Sequence, residues 1–295
     1  MGKSQSRPLD RLHNLLYTLN KFRDFVEVTK SKGTRDYYKF YLNAIQEKLG
    51  HYDCDKIDND VILKYIKHRR SLNSDISNAS LNKHVKTLKS VVKYATQRKI
   101  EFPKLKEQEK IIPTVSEHTI TKLFNYYKKH LDNKFAFRNY LFFNILLDTG
   151  LRLSEATHLK IDDLELDQSL IHVRKTKTDV DRYVVLTKPT KDLLIKFMVT
   201  QDISNYIFTD FKEDKPLTTS AVESFTYRIK KKLKIKENIT PHKWRHTLAT
   251  KFLRNGGNME ALRIILGHKN LKTTQKYLHL NKDDILTAYT KAIKR

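Results

Sequence analysis

Two arginines, a lysine, two histidines and a tyrosine occur in an order that suits phosphoryl transfer. Arg152 lies in DTGLRLSEATHL, Lys177 in RKTKTDVDRYVVL, His242 and Arg245 in ITPHKWRHTLATKFL, and His268 and Tyr277 in IILGHKNLKTTQKYLHL. Moving a phosphodiester onto a side chain needs in-line attack, neutralisation of the charge that builds on the nonbridging oxygens, and a proton for the leaving 5′ oxygen. Guanidinium groups bind phosphate oxygens bidentately and stay charged near neutral pH, so Arg152 and Arg245 suit the clamp. A lysine in a hairpin turn can reach into a groove and protonate the leaving hydroxyl; Lys177 is taken for that role, with Lys175 two residues away as the alternative. His242 and His268 can donate to the phosphate or shuttle protons. A free tyrosine titrates near pH ~10, so Tyr277 needs a positive pocket to attack as phenolate. The set implies DNA strand breakage and rejoining through a covalent phosphotyrosine.

The composition agrees with a polyanionic partner. The 295 residues carry 58 Lys+Arg against 33 Asp+Glu, a net charge of +25. The excess is spread along the chain, with 24 basic and 13 acidic residues in 1–110 and 34 and 20 in 111–295, so both halves are expected to touch nucleic acid. The single cysteine, Cys54, excludes internal disulfides and a cysteine-cluster metal site, and the sequence implies neither a metal nor a cofactor. No apolar run is long enough to span a membrane and the N-terminus lacks the apolar core of a signal peptide, which predicts a cytoplasmic, DNA-associated protein with no membrane partner.

The elements that must carry these residues are mostly helices. Leu12, Leu15, Leu16, Leu19, Phe22, Phe25 and Val26 recur at steps of three and four, which predicts one buried helix face. A second helix is expected to open at Thr34 as N-cap and to bury Tyr37, Tyr41, Ile45 and Leu49. A third carries Val61, Ile62, Tyr65 and Ile66, and a fourth after SNAS carries Leu81, Val85, Leu88, Val92 and Ala95. Lys83, Lys86, Lys89 and Lys93 lie on the outer face of that fourth helix and are read as DNA-backbone contacts. The segment EFPKLKEQEKIIPTV, with two prolines and a charge run, separates two domains, giving a helical domain over 1–105, a linker over 106–115 and a second domain over 116–295. In the second domain Tyr140–Leu147 predicts a buried helix, and SLIHV, TKTDVD and RYVVL predict a β-hairpin. Asn255-Gly256-Gly257-Asn258 predicts a helix stop, and Ile285, Leu286, Tyr289 and Ile293 a last amphipathic helix. The fold class is mainly α with a small β-sheet.

These blocks resemble the catalytic domain of the tyrosine recombinase family, which includes the phage-type integrases. TGLRLSE resembles the family's first arginine box, with Arg152 as catalytic arginine and Glu155 as the acidic neighbour that braces the site. HKWRH is similar to the second box, LGH supplies His268, and TTQKY supplies the nucleophile Tyr277 nine residues later. The usual GKG before the second hairpin strand is replaced by the longer TKTDVD turn, and Trp244 stands where a smaller residue is more usual and is expected in the core. The resemblance covers 116–295 by motif and the N-terminal helices by pattern. It implies a SAM-like core-binding domain followed by an α+β catalytic domain with a C-terminal exchange helix, closing as a clamp on double-stranded DNA recombination sites. It further implies a homotetramer on DNA and leaves room for accessory DNA-bending or directionality factors. Departures from the most regular host-type sequences favour integration or excision of a mobile element, of prokaryotic, viral or mobile-element origin, over Xer-like chromosome or plasmid dimer resolution. Type IB topoisomerase-like relaxation and a non-catalytic DNA-binding repressor are the alternatives of other classes.

Overall fold

A computed structural model describes residues 14–107, 113–174, 181–268 and 270–275, excepting the side chain of Lys272. Lys175, Lys177, Tyr277, Leu12 and the expected exchange helix therefore lie outside the described residues. The chain divides into two compact units, 1–110 and 111–295.

Among its described residues the first unit has four α-helices, α1 (Leu15–Thr29), α2 (Lys32–Leu49), α3 (Asn59–Leu72) and α4 (Asn78–Thr96). In α1 the buried stripe is Leu15, Leu19, Phe22 and Val26, while Leu16 and Phe25 are exposed. At 3.6 residues per turn those two sit roughly 90° to either side of the stripe's centre, at the rim of the face that the sequence assigned them to. Ser31, not Thr34, occupies the N-cap of α2, so Thr34 lies in the first turn, where its hydroxyl meets that of Ser31 at 3.1 Å. Asp58 and Ser77 cap α3 and α4 by accepting from the backbone N–H of Val61 and Ser80. Buried Ile45, Leu49, Ile62, Tyr65, Leu81, Leu88 and Val92 form one core, with Cys54 as a buried free thiol, and Tyr41 is buried as well.

His84 is also buried in this core, sharing a 2.9 Å hydrogen bond between its Nδ1 and the Tyr65 hydroxyl. Its Nε2 is buried without a partner. Burial, helped by the charge of Arg69, pushes the imidazole down to about 4. The folded chain therefore refuses a proton that the unfolded chain accepts near the ordinary value of 6.5. Stability is fully present above that value and is lost as the pH falls from 6.5 towards 4. In His84→Gln, which keeps a polar partner for Tyr65 but cannot titrate, urea unfolding between pH 6.5 and 4 is expected to lose this contribution to the slope. Identical pH slopes in the two proteins would show that His84 does not contribute.

The second unit opens with α5 (Glu117–Lys128), capped by Ser116, and α6 (Lys134–Thr149). Next come the short α7 (Leu153–Thr157) and an antiparallel sheet of β1 (Leu164–Glu165), β2 (Leu170–Val173) and β3 (Arg182–Val185). The predicted hairpin strands are β2 and β3, paired Leu170 to Val185 and Val173 to Arg182. The two-residue β1 adds an edge, with Leu164 opposite Ile171, too short to leave a periodicity in the sequence. Among the described residues the remaining helices are α8 (Lys188–Gln201), α9 (Thr219–Lys232), α10 (Pro241–Arg254), α11 (Met259–Leu266) and α12 (Lys272–Gln275).

Helix α6 runs through the middle of the larger core, burying Phe137, Leu141, Phe142, Phe143, Ile145 and Leu146. Trp244 of α10 is fully buried against it, stacked on Phe124 at 6.1 Å and 9°, with its indole N–H donated to the Ile239 carbonyl at 3.0 Å. Arg245, next to it in the helix, is buried as well, while His242 in the first turn is exposed. Asn255 closes α10, and Asn258 caps α11 by accepting from Glu260 and Ala261, so one four-residue segment both stops and restarts the helix.

Candidate active site

Three turns converge here: the one after α6, the N-terminus of α7 and the C-terminus of α11. Gly150 ends α6 in the left-handed region (φ 61°), as required for the sharp exit that places Arg152 at the N-cap of α7. A Cβ on Gly150 would stand 2.8 Å from a methyl of Leu248 and 2.9 Å from one of Leu266, so a side chain there would also have to push those two leucines aside. Glu155, three residues into the turn, reaches back to accept the Arg152 backbone N–H at 2.7 Å.

Arg152 donates through Nη1 to Glu155 Oε1 at 2.8 Å and through Nη2 to the Gly267 carbonyl at 3.2 Å. Its side chain remains 29% exposed. Arg245, buried on α10, donates to the Gly150 carbonyl at 2.6 Å and to the Leu266 carbonyl. Two arginines far apart in sequence thus bind neighbouring carbonyls of one turn. His268, next in that turn, is buried and pairs through Nδ1 with the Thr274 hydroxyl at 2.9 Å, which links it to the start of the segment leading toward Tyr277. His242 lies on the exposed side of the first turn of α10.

The pattern extends along the whole carbonyl end of α11. Ile265 accepts from Arg182 Nε at 2.8 Å, Leu266 from Arg245, Gly267 from Arg152, and His268 from Arg263 Nη1 at 2.9 Å. A helix C-terminus leaves carbonyls without intrahelical partners and carries partial negative charge, which is what allows several guanidiniums to gather there. The sequence LGH has a geometric meaning as a result: Gly267 turns in the left-handed region (φ 62°) and presents its own carbonyl to Arg152.

Arg182 is the residue that the sequence reading missed. It is the first residue of β3 and points the same way as Val184, into the interior, while Tyr183 and Val185 are exposed. The signal was present, since a charged residue at the inward parity of an alternating strand needs a buried partner. That partner is Glu155, held by Arg182 at 3.0 and 2.7 Å. Burial alone would raise the Glu155 carboxyl, but the hydrogen bonds and charge of Arg182 and then Arg152 outweigh it and hold it below the ordinary carboxylate value. The carboxylate is therefore ionised at neutral pH.

Among the lysines expected on DNA, Lys83, Lys86 and Lys93 are exposed on α4. Lys89 is half-buried and donates to the Phe102 carbonyl at 3.0 Å, because the segment after α4 folds back along it. Asn82 fastens the same segment by exchanging two 2.9 Å bonds with the backbone of Leu105. No group of three or more metal-ligating side chains occurs among the described residues, and no described helix is long and apolar enough to cross a membrane.

Comparison with known proteins places this arrangement. The model of the phage integrase family matches residues 113–284, and that of the phage integrase N-terminal SAM-like domain matches 19–99. Tyrosine recombinase XerA of Saccharolobus solfataricus is 36% identical over 194 residues, 65% of this chain and 60% of that protein, so the match spans about three fifths of that relative. A probable integrase/recombinase of Acholeplasma phage L2 is 26% identical over 279 residues, 88% of this chain and 96% of that protein. The Tn1549 transposon integrase solved with transposon right end DNA shares the fold at a TM-score of 0.77 and 18% identity, covering 96% of this chain and all of the solved one. With a family model matched over more than half of its length, the chain belongs to the phage integrase family of tyrosine recombinases.

Proposed function

We propose that this protein is a site-specific DNA recombinase that integrates or excises a mobile element by cutting and rejoining strands through a 3′-phosphotyrosine. The observation that carries the reading is the placement of Arg152 and Arg245 on adjacent carbonyls of the 266–267 turn, beside buried His268. Two fixed guanidiniums on one turn make a preorganised clamp for the nonbridging oxygens of a phosphodiester. Tyr277 attacks the phosphorus in line, forming the tyrosyl–phosphate bond as the bond to the 5′ oxygen breaks. Lys177 supplies the proton to that oxygen, while His242 and His268 donate to the phosphate or relay the proton from the phenol. Attack by a 5′ hydroxyl from the partner strand reverses the step, releasing the tyrosine and joining new ends. The bond energy is kept in the phosphotyrosine, so no cofactor is required.

Lys83, Lys86 and Lys93, together with Lys89 where the segment after α4 permits, track the duplex backbone. The working assembly is a homotetramer on paired recombination sites, with the C-terminal segment after Tyr277 docked on a neighbour, in a cytoplasmic, DNA-associated protein of prokaryotic, viral or mobile-element origin. The domain boundaries proposed for it are 1–105 for core binding, 106–115 for the linker and 116–295 for catalysis. The phage relative, alike over nearly its full length, supports the mobile-element task; the XerA relative supports dimer resolution as the second reading.

Covalent capture tests the proposal. Sheared genomic DNA of the source is incubated with the full chain, and fragments that become protein-linked are sequenced. Capture of the two ends of one mobile element is the expected result. Capture of a single site per replicon would establish dimer resolution instead, and relaxation of supercoiled plasmid without exchange would establish the topoisomerase.

A further inference from the structure

Arg182 meets none of the roles assigned above, yet it is buried and held at every guanidinium nitrogen. Its side chain is 2% exposed, and its three nitrogens each have an acceptor: Nε the Ile265 carbonyl at 2.8 Å, Nη1 Glu155 Oε1 at 3.0 Å, and Nη2 Glu155 Oε2 at 2.7 Å. The Glu155 carboxylate, 5% exposed, is in turn shared between two arginines. Each oxygen takes one donor from Arg182 and one from Arg152, Oε1 from the Arg152 guanidinium and Oε2 from its backbone N–H. One planar guanidinium thus joins β3, α7 and the end of α11. Gly267 makes room for it, because a Cβ there would stand 2.9 Å from Arg182 Nη1.

We propose that Arg182 is a positioning residue of the strand-transfer centre, fixing Glu155 and through it the Arg152 guanidinium against the carbonyl end of α11. The inference rests on the recombinase reading and deepens it. The Arg152 head group is held by Glu155 on Nη1 and by Gly267 on Nη2, and Arg182 anchors both of these partners, the first directly and the second by holding the turn that carries Gly267. Arg182 is too buried to touch DNA, so its effect is felt only through Arg152, which is the exposed member of the pair. A lysine cannot replace it, since an ammonium presents no fork and cannot satisfy both carboxylate oxygens and a carbonyl in one plane.

The test compares wild type, Arg182→Lys and Arg182→Ala on two suicide duplexes carrying a captured site. One has the ordinary scissile phosphodiester; the other has a neutral methylphosphonate at that position, which develops less negative charge and has less need of an aligned guanidinium. Arg182→Lys is expected to bind both duplexes with the wild-type Kd and to cleave the phosphodiester about 10²-fold more slowly, the scale of a small misplacement of a catalytic group. On the methylphosphonate its rate should come within a few-fold of wild type. If Arg182→Ala does not fold, Arg182→Lys, which keeps the charge and nearly the length, carries the test. A wild-type rate for Arg182→Lys on the phosphodiester, or slowing by the same factor on both duplexes as a loosened fold would give, overturns the proposal. Wild-type protein that forms no adduct with either duplex overturns the recombinase reading itself, and the role of Arg182 falls with it.

Discussion

Tyr277→Phe is expected to bind recombination-site DNA with unchanged affinity and to form no covalent adduct. The substitution removes one oxygen and keeps the ring, so packing and charge are conserved while the only atom able to bond to phosphorus is lost. Tyr277 stands nine residues after His268. The described chain between them runs from His268, paired with Thr274, into the short helix α12, which ends at Gln275. The measurement is adduct formation on a nicked suicide duplex, read on a denaturing gel, with binding followed separately by mobility shift. An adduct with the Phe variant would mean that another of the 15 tyrosines, or a different nucleophile, performs the attack.

The second large effect concerns the clamp. Arg152→Ala and Arg245→Ala are each expected to slow single-turnover cleavage by about 10²–10³, the cost of removing one donor from a developing oxyanion. The two should differ in stability. Arg245 is 5% exposed and its loss leaves the buried Gly150 and Leu266 carbonyls without that donor, so its Tm should fall further than that of Arg152→Ala, whose side chain reaches solvent. Lys177→Ala separates the acid from the clamp: a duplex with a 5′-bridging sulfur, which leaves without a proton, should restore its cleavage rate but not that of either arginine variant. Rescue of a Lys175 variant in its place would move the acid by two residues. Arginine variants rescued by the sulfur substrate would show that they act on the leaving group and not on the nonbridging oxygens.

The candidate site is legible in the sequence because the residue types that phosphoryl transfer would need stand in short contiguous blocks. Arg152 with Glu155 is a helix N-terminus, and Gly267 with His268 is a helix stop; both are local events whose spacing is set by the turn itself. The helices were legible for the same reason. The buried stripe of α1, the β2–β3 pairing and the double use of Asn255–Asn258 follow from periodicities and caps that a chain segment carries alone. Where local signals run out, tertiary packing decides. The width of a buried face depends on what packs against it, so Leu16 and Phe25 were assigned inward and lie at the rim. Ser31 and Thr34 are both good caps, and only the position at which α2 begins decides between them. Lys89 looked like its neighbours on α4 until the following segment folded over it. Arg182 shows the limit most clearly. Alternation marks it as an inward charge, but its partners are 27 residues back at Glu155 and 83 residues on at Ile265. The pairing costs loop-closure entropy and desolvation that no local segment can offset, and it becomes favourable only when β3, α7 and the end of α11 are already packed together. The blocks that carry the candidate residues are determined by the sequence; the pairing of Arg182 with Glu155 and with the Ile265 carbonyl is decided by the tertiary structure.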